Sequence, residues 1–425
     1  MSKVRMKGFM ETMEVNEALK RFFEALPPIK QRHELVSLNE SLNRVLAVDI
    51  VSKVDIPTFD KAAMDGYAVV ASDTFGASQT NPVTLRVLGE VAMGEPPRFN
   101  IGKGQAVAVT TGGPIPSGAD AVVMLEYAKK VIEGEVEVYT AVTPGDNLSK
   151  VGEDVAEGDV VLRKGTVLKP QDVGILAALG FSRIKVVVKP RIGVLSTGSE
   201  LVEIGTPLQS GKTINVNNLI LSMMVTELGG TSVNLGTAGD NQDEIKCGIS
   251  KGLVEADVVV ITGGTSVGKT DLVPEVINTL GKPGMIVHGV SMRPGKPTGL
   301  AVIDGIPVVS LSGYPVAAMM GFNTFVRPLI LKLLGTVGEL TPRVRARLVR
   351  RVASTTGIRV FLRVKVRKRV EQYVAEPLRS TGSGVLSSMV QANGIVVIPE
   401  SREGFEAGEE VEVLLFRPVE IEGDG

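Results

Sequence analysis

Gly263, Gly268, Lys269 and Thr270, within DVVVITGGTSVGKTD (257–271), satisfy the phosphate-loop spacing G-x-x-x-x-G-K-[ST] directly after an apolar run. In such a loop, backbone N–H groups and the start of the next helix hold the phosphates of a nucleotide. Two further apolar runs end in related chemistry. LSTGSE (195–200) presents Thr197, Gly198 and Ser199, and LSGYPV (311–316) presents Ser312, Gly313 and Pro315, beside the Thr262, Gly263, Gly264 and Ser266 of ITGGTS. A hydroxyl next to a glycine is ordinary turn chemistry once; at three strand ends of one sheet it suits an anion such as phosphate. Glu200, Asp240 and Asp271 stand beside these loops or after another strand. Carboxylates facing a phosphate-binding rim are how a protein holds Mg2+. Asp240 and Asp271 would equally serve as helix N-caps.

The elements that must position these residues argue against a nucleoside triphosphatase. A phosphate loop needs its helix to start at the Gly-Lys-Thr itself, but Pro274 lies four residues past Thr270, beyond the first turn of such a helix. A helix entered from Asp271 would instead place Pro274 in its first turn, where it is tolerated. LAVID (300–304) supplies an apolar strand ending in Asp, yet Asp304-Gly305 followed by IPVVS reads as a hairpin turn. The loop is therefore expected to face phosphate without being a triphosphatase loop.

Along the chain, Val15–Leu26 has apolar residues at helical spacing and stops at Pro27-Pro28, and 37–45 reads as a second short helix. From Asp49 to about Lys150 short apolar runs alternate with Gly and Pro, which is β texture. Residues 171–179 read as a helix closed by Gly180. From Arg191 to Leu334 strands alternate with helices, which predicts a mainly parallel sheet covered on both faces. The last 90 or so residues alternate at strand period. The expected architecture is multidomain α/β and β: a helical part from 1–52 with 148–188, an inserted β domain at 53–147, a three-layer α/β domain at 189–336, and a C-terminal β domain at 337–425.

A chain of 425 residues is too long for one core. Its formal net charge of −1 gives no global attraction to nucleic acid or anionic membrane. Cys247 is the single cysteine, so no internal disulfide can form and a reducing, cytoplasmic setting is expected. His33 and His288 are too isolated for a zinc site, leaving a hard cation on oxygen ligands as the expected metal. The N-terminus has no continuous apolar segment of the kind a signal peptide needs. Residues 307–326 are apolar but broken by Ser310, Ser312, Gly313, Pro315 and Asn323, which suits a buried strand, loop and helix better than a membrane span. The run from Arg343 to Arg369 is basic without acidic residues. Its alternation at strand period suits solvated strand faces better than a nucleic-acid surface.

Six segments together resemble the molybdopterin molybdenumtransferase (MoeA) family, which is similar to the E domain of gephyrin. They are PTFDKAAMDGYAV (57–69), AVTTGGPIPSGADAVVMLE (108–126), GEDVAEGDVVLRKG (152–165), VLSTGSEL (194–201), ITGGTSVGKTD (261–271) and MRPGKPTG (292–299). The resemblance runs from about Val15 to Phe416 in the family's order, and its motifs are specific. It implies a homodimer with active sites at the subunit interface, a pterin-binding α/β domain and a terminal β-barrel-like domain. The substrates would be adenylylated molybdopterin and molybdate or tungstate, which nothing in the sequence tells apart. The reaction implied is Mg2+-dependent: molybdenum or tungsten would enter the dithiolene and AMP would leave.

By similarity, Glu200 and Asp271 would hold Mg2+ or phosphates, with Asp240 in the same region. Thr262, Gly263, Gly264 and Ser266 would line the pyrophosphate site, together with Thr197, Gly198, Ser199 and Pro315 of the neighbouring loops. Asp65 and Thr111 would come from the partner's β domain, supported by Asp154. Arg293, Lys296, Arg363 and Ser383 would bind the oxyanion, for which cationic and N–H donors are needed. The catalytic set implied is Asp65, Asp240, Asp271 and Lys296. Two departures fall near that pocket: Ser312 and Tyr314 replace the usual proline and asparagine of the third loop, and Gly289 stands where some members carry lysine. A gephyrin-like scaffold and an adenylyltransferase of the related pterin-binding fold are the alternatives. The retained Asp65, Glu200, Asp240, Asp271 and Lys296 argue against the first, and the β insertion carrying Asp65 and Thr111 argues against the second.

Overall fold

Runs such as GYAV, QAVAV and AVVM lack polar alternation because both faces of their strands are covered. In the computed structural model, described over residues 12–91, 94, 96, 98–264, 272–336, 341–370, 372–378 and 382–421, the chain divides into two units. The first, Leu35–Leu42 with Leu46–Val186, contains a six-stranded sheet ordered Ala121–Met124, Gly66–Val69, Gln105–Val109, Val83–Val91, Glu135–Val138 and Ala128–Ile132. One face buries Tyr67, Val69, Ala106, Val123 and Val136. The other buries Ala68, Val107, Val109 and Val122. Successive residues of one strand thus enter different cores, as the two-residue period requires.

The rest of this unit packs Leu46, Ile50, Leu168, Leu176, Ile184 and Val186 together, with a helix at Pro170–Ala178 closed by Gly180 at φ 82°. The short helix expected over 37–45 is one 3-10 turn, Leu38–Glu40. Its capping box of Ser37 and Glu40 forms, but Asn43 turns to φ 59° and ends any continuation.

The second unit comprises Met1–Glu34, Asn43–Val45 and Val187–Gly425. Its central sheet has the order Thr231–Ala238, Arg191–Thr197, Val258–Thr262, Ile306–Leu311, Gly299–Ile303 and Pro283–His288. The first four run parallel; Gly299–Ile303 alone is reversed, returning through a turn with Asp304 at φ 48° and Gly305 at φ 89°. Helices Gln242–Glu255 and Leu272–Leu280 pack Ile245, Ile249, Val276 and Ile277 against Leu195, Val259 and Ile261. Pro274 is the third described residue of the helix Leu272–Leu280.

The expected helix after residue 315 is present as Pro315–Gly321, a wide π turn at Phe322–Val326, and Arg327–Leu334. Pro328 has no N–H to continue the regular ladder. By length and composition, Pro315–Leu334 could cross a membrane, but 56% of its apolar window is buried in this fold.

The terminal part closes on itself. Arg359–Arg369, Gln372–Pro377, Arg343–Leu348, Glu410–Leu415 and Gly394–Ile398 pair in a ring, since the last also pairs with the first. Leu362, Val364, Val366, Val396, Val411 and Val413 fill the interior. The basic strand faces meet acidic neighbours: Arg343 with Glu412 at 2.6 Å, Arg367 with Glu376 at 2.9 Å, and Lys365 with Glu420 at 2.8 Å.

Candidate active site

Parallel strands bring Thr197–Ser199, Ala238–Asp240, Thr262–Gly264 and Leu311–Tyr314 to one edge of the sheet, the carboxyl ends where α/β folds bind ligands. Gly198 N–H donates to Ala238 O at 3.0 Å, and Gly263 N–H donates to Leu311 O at 3.1 Å. Gly263 adopts φ 95° and lies so close to the first loop that a Cβ would meet Thr197 O at 2.2 Å. The Glu200 carboxylate folds over Gly198, within 2.6 Å of where a Cβ would stand.

The hydroxyls of these loops behave differently from the sequence expectation. Thr262, 2% exposed, donates to Ser312 O at 3.0 Å and accepts from Asn217 Nδ2 at 2.8 Å. Ser312 Oγ accepts from Tyr314 N–H at 3.3 Å. Both hydroxyls are engaged in bracing the loops. Thr197 Oγ1 is buried without a partner among the described residues, beside Gly263 and Gly264. Ser199 is the exposed one. It forms a reciprocal pair with Asp240: Ser199 N–H donates to Asp240 Oδ2 at 3.1 Å, and Asp240 N–H donates to Ser199 Oγ at 3.0 Å.

Asp240 is not the helix cap. Asn241 has that role, accepting from Asp243 and Glu244 N–H groups. Lys212, absent from the expected set, places Nζ 2.9 Å from Ser199 O and brings a cation to an edge carrying Glu200 and Asp240. Its only signal in sequence is proximity to the asparagines that follow. Ser266 and Asp271 lie outside the described residues, as do Lys269 and Thr270. Among the described residues no three His, Cys, Asp or Glu side chains group as metal ligands. Glu200 and Asp240 supply oxygen donors suited to a hard cation that keeps waters and phosphate oxygens in its shell.

Three asparagines at the start of the helix Val216–Glu227 tie the strand ends together, and sequence reasoning missed them. Asn215 accepts from Ser196 Oγ and donates to Thr237 Oγ1, both at 3.0 Å. Asn218 donates to Val194 O at 3.2 Å and Asn234 Oδ1 at 3.1 Å. Asn217, 8% exposed, donates to Gly313 O at 2.8 Å as well as to Thr262. In Asn217→Asp a carboxylate would face Gly313 O, with an expected cost of about 1–3 kcal/mol. Repulsion would raise the new carboxyl's pKa, so the variant should regain stability as pH falls and the carboxyl becomes a donor. Denaturation at pH 5 and pH 8 checks this; an equal deficit at both would show that the bridge is not what holds the loops.

The other expected carboxylate site is in the first unit. Asp65 precedes Gly66–Val69 and Thr111 follows Gln105–Val109; Gly66 pairs with Val109 across these antiparallel strands. Thr111 N–H donates to Asp65 Oδ1 at 2.6 Å and its hydroxyl donates to the same oxygen at 2.8 Å. The Thr111 backbone donor first, then its hydroxyl, hold the Asp65 carboxyl below the usual aspartate range. Asp154 is exposed, with its N–H on Ile56 O at 3.0 Å.

In the second unit, Arg293 lies exposed in a two-residue strand beside Arg359–Val360. Lys296 is exposed, and its carbonyl accepts from Val290 N–H at 2.9 Å. Arg363 is 1% exposed, and burial pulls its pKa below the usual arginine value. The Ser383 carbonyl accepts from Val316 N–H at 3.1 Å, so the 382–384 loop is joined to the strand-end loop through Pro315 and Val316.

Three family models match the chain in succession: MoeA N-terminal region (domain I and II) over 13–180, probable molybdopterin binding domain over 193–332, and MoeA C-terminal region (domain IV) over 345–416. A putative molybdopterin biosynthesis protein of Methanocaldococcus jannaschii is 40% identical over 423 residues, 97% of this chain and 100% of its own length. The molybdopterin molybdenumtransferase of Bacillus subtilis is 35% identical over 387 residues, 90% of each. Among solved structures, a molybdopterin biosynthesis MoeA protein from Pyrococcus horikoshii superposes with TM-score 0.84 at 37% identity, covering 96% of this chain and 100% of that one.

Proposed function

Because the chain belongs to the MoeA family of molybdopterin molybdenumtransferases and so is a transferase of molybdenum cofactor biosynthesis, we propose that it acts on adenylylated molybdopterin and molybdate or tungstate, releasing AMP. The observation that carries this is the strand-end edge, where the Gly198 and Gly263 loops, Ser199, Asp240, Glu200 and Lys212 converge. Backbone donors and Lys212 suit the substrate's phosphates. Glu200, Asp240 and Asp271 would hold Mg2+, which when bound neutralises phosphate charge during the transfer.

In this reading Thr197, Gly198, Ser199, Gly263, Gly264, Ser266 and Pro315 surround the substrate, while Thr262 supports them from beneath. Arg293, Lys296, Arg363 and Ser383 receive the oxyanion. Asp65, kept ionised by Thr111, and Asp154 are brought by a second copy of the chain. Exposed apolar residues in the first unit support such a dimer, among them Leu42, Val48, Val51 and Val160; Val51 and Val160 are paired across neighbouring strands. The four-part division at 53, 148, 189 and 337 and a cytoplasmic setting belong to the same reading, the latter in keeping with the single, exposed Cys247.

Incubation with adenylylated molybdopterin, Mg2+ and molybdate or tungstate should release AMP in proportion to oxyanion, and chelation by EDTA should stop it. AMP release that ignores the oxyanion would overturn the proposal. Release that survives EDTA would remove the metal from it.

A further inference from the structure

Tyr314 is the one aromatic residue of the strand-end loops, and its surroundings fix its place on both sides. Before it, Gly313 O accepts from Asn217 Nδ2 at 2.8 Å, and a Cβ on Gly313 would lie 3.4 Å from Gly263 Cα. Its own N–H donates to Ser312 Oγ at 3.3 Å. After it, Pro315 opens a helix and Val316 N–H holds Ser383 O at 3.1 Å. One edge of the ring lies along Gly384, where a Cβ would stand 3.1 Å from Cδ1 and 3.5 Å from Cε1. The residue is nevertheless 62% exposed. A ring on a braced loop, touched along one edge and more than half exposed, can serve as a stacking platform for another flat π system.

We propose that Tyr314 is a specificity-determining residue of this chain, receiving a planar nitrogen heterocycle of the substrate by stacking between the Gly263 loop and the Ser383 loop. The inference rests on the transferase reading and goes beyond it. A substrate phosphate on the Gly198 and Gly263 loops leaves adenine on one side and pterin on the other, and both are flat nitrogen heteroaromatics. Asparagine, which the motif this loop resembles carries at that place, offers no such face.

Isothermal titration with AMP and, separately, with metal-free molybdopterin distinguishes the two rings. Tyr314→Ala should weaken one of them by roughly 5- to 150-fold, the range expected for losing one stacked base. Tyr314→Leu, which keeps bulk over Gly384 without a π face, should weaken it similarly. The conservative Tyr314→Phe should restore it. In turnover the Ala and Leu variants should raise KM and hold kcat, the pattern of binding lost equally from ground and transition states. A loss confined to AMP assigns adenine, and one confined to molybdopterin assigns the pterin. Unchanged affinity for both probes in the Ala and Leu variants, or a Phe variant as weak as Ala, overturns the stacking role. A parent protein that binds neither probe overturns the substrate reading itself.

Discussion

Asp65→Asn is expected to lower kcat by roughly two to four orders of magnitude, the range for losing a positioned acid–base group. Thr111 donates twice to Oδ1, which fixes the carboxylate plane and leaves Oδ2 to meet a proton or cation. Asparagine keeps the shape and an acceptor for Thr111 but removes the charge. Because those two donors hold the folded pKa of Asp65 below its unfolded value, their stabilising effect is present above the ordinary aspartate range. It is lost as pH falls through the lowered folded value. The acid limb of activity should accordingly lie below the usual aspartate range. Thr111→Val removes the hydroxyl donor but not the N–H, so it should move that limb upward. A pH profile of single-turnover AMP release measures both effects; an unchanged limb in Thr111→Val would separate Asp65 from the chemistry.

Gly263→Ala should disable substrate binding and destabilise the α/β domain by at least about 2 kcal/mol, since strain and a backbone collision add. The added methyl would stand 2.2 Å from Thr197 O at a φ of 95°. Neither the carbonyl nor the strand behind it can yield without disturbing the paired loops. Gly205→Ala is the control, for it has φ 89° and open space at the Cβ position. It carries the strain without the collision and should lose about 1–2 kcal/mol with binding retained. Denaturation followed alongside molybdopterin titration decides. Equal losses in the two variants would mean that strain alone, and not the tight loop contact, matters.

Much of the architecture was legible because it depends on local pattern. Pro27 and Pro28 follow the helix Val15–Glu24, Gly180 closes Pro170–Ala178, and Asp304-Gly305 makes the predicted hairpin. Pro274 alone argues against a triphosphatase loop, and it lies in the helix described over Leu272–Leu280. The hydroxyl-glycine loops were also located correctly on one sheet edge. What their hydroxyls do was not legible, because that depends on partners far away in sequence. Thr262 is turned inward by Asn217 and by Ser312 O, 45 and 50 residues distant. The same distance hid Asn217, which in sequence is one polar residue at a helix start. The 37–45 segment misled for a different reason: its capping box is real, but the left-handed Asn43 stops the helix after one turn.

The order in which the chain is made has a consequence for the helix Val15–Glu24. It packs against Pro283–His288 and Gly299–Ile303, strands that leave the ribosome about 260–280 residues later. At about 5–20 residues per second, its apolar face waits some tens of seconds for a partner. Phe22, fully buried in the finished protein, spends that interval uncovered. Meanwhile the unit at Leu35–Leu42 with Leu46–Val186 is already fully synthesised and free to fold. Newly made chains should therefore engage holding chaperones through their N-terminal helix, and a stalled chain ending near residue 190 should be captured by them although its β domain is already protease-resistant.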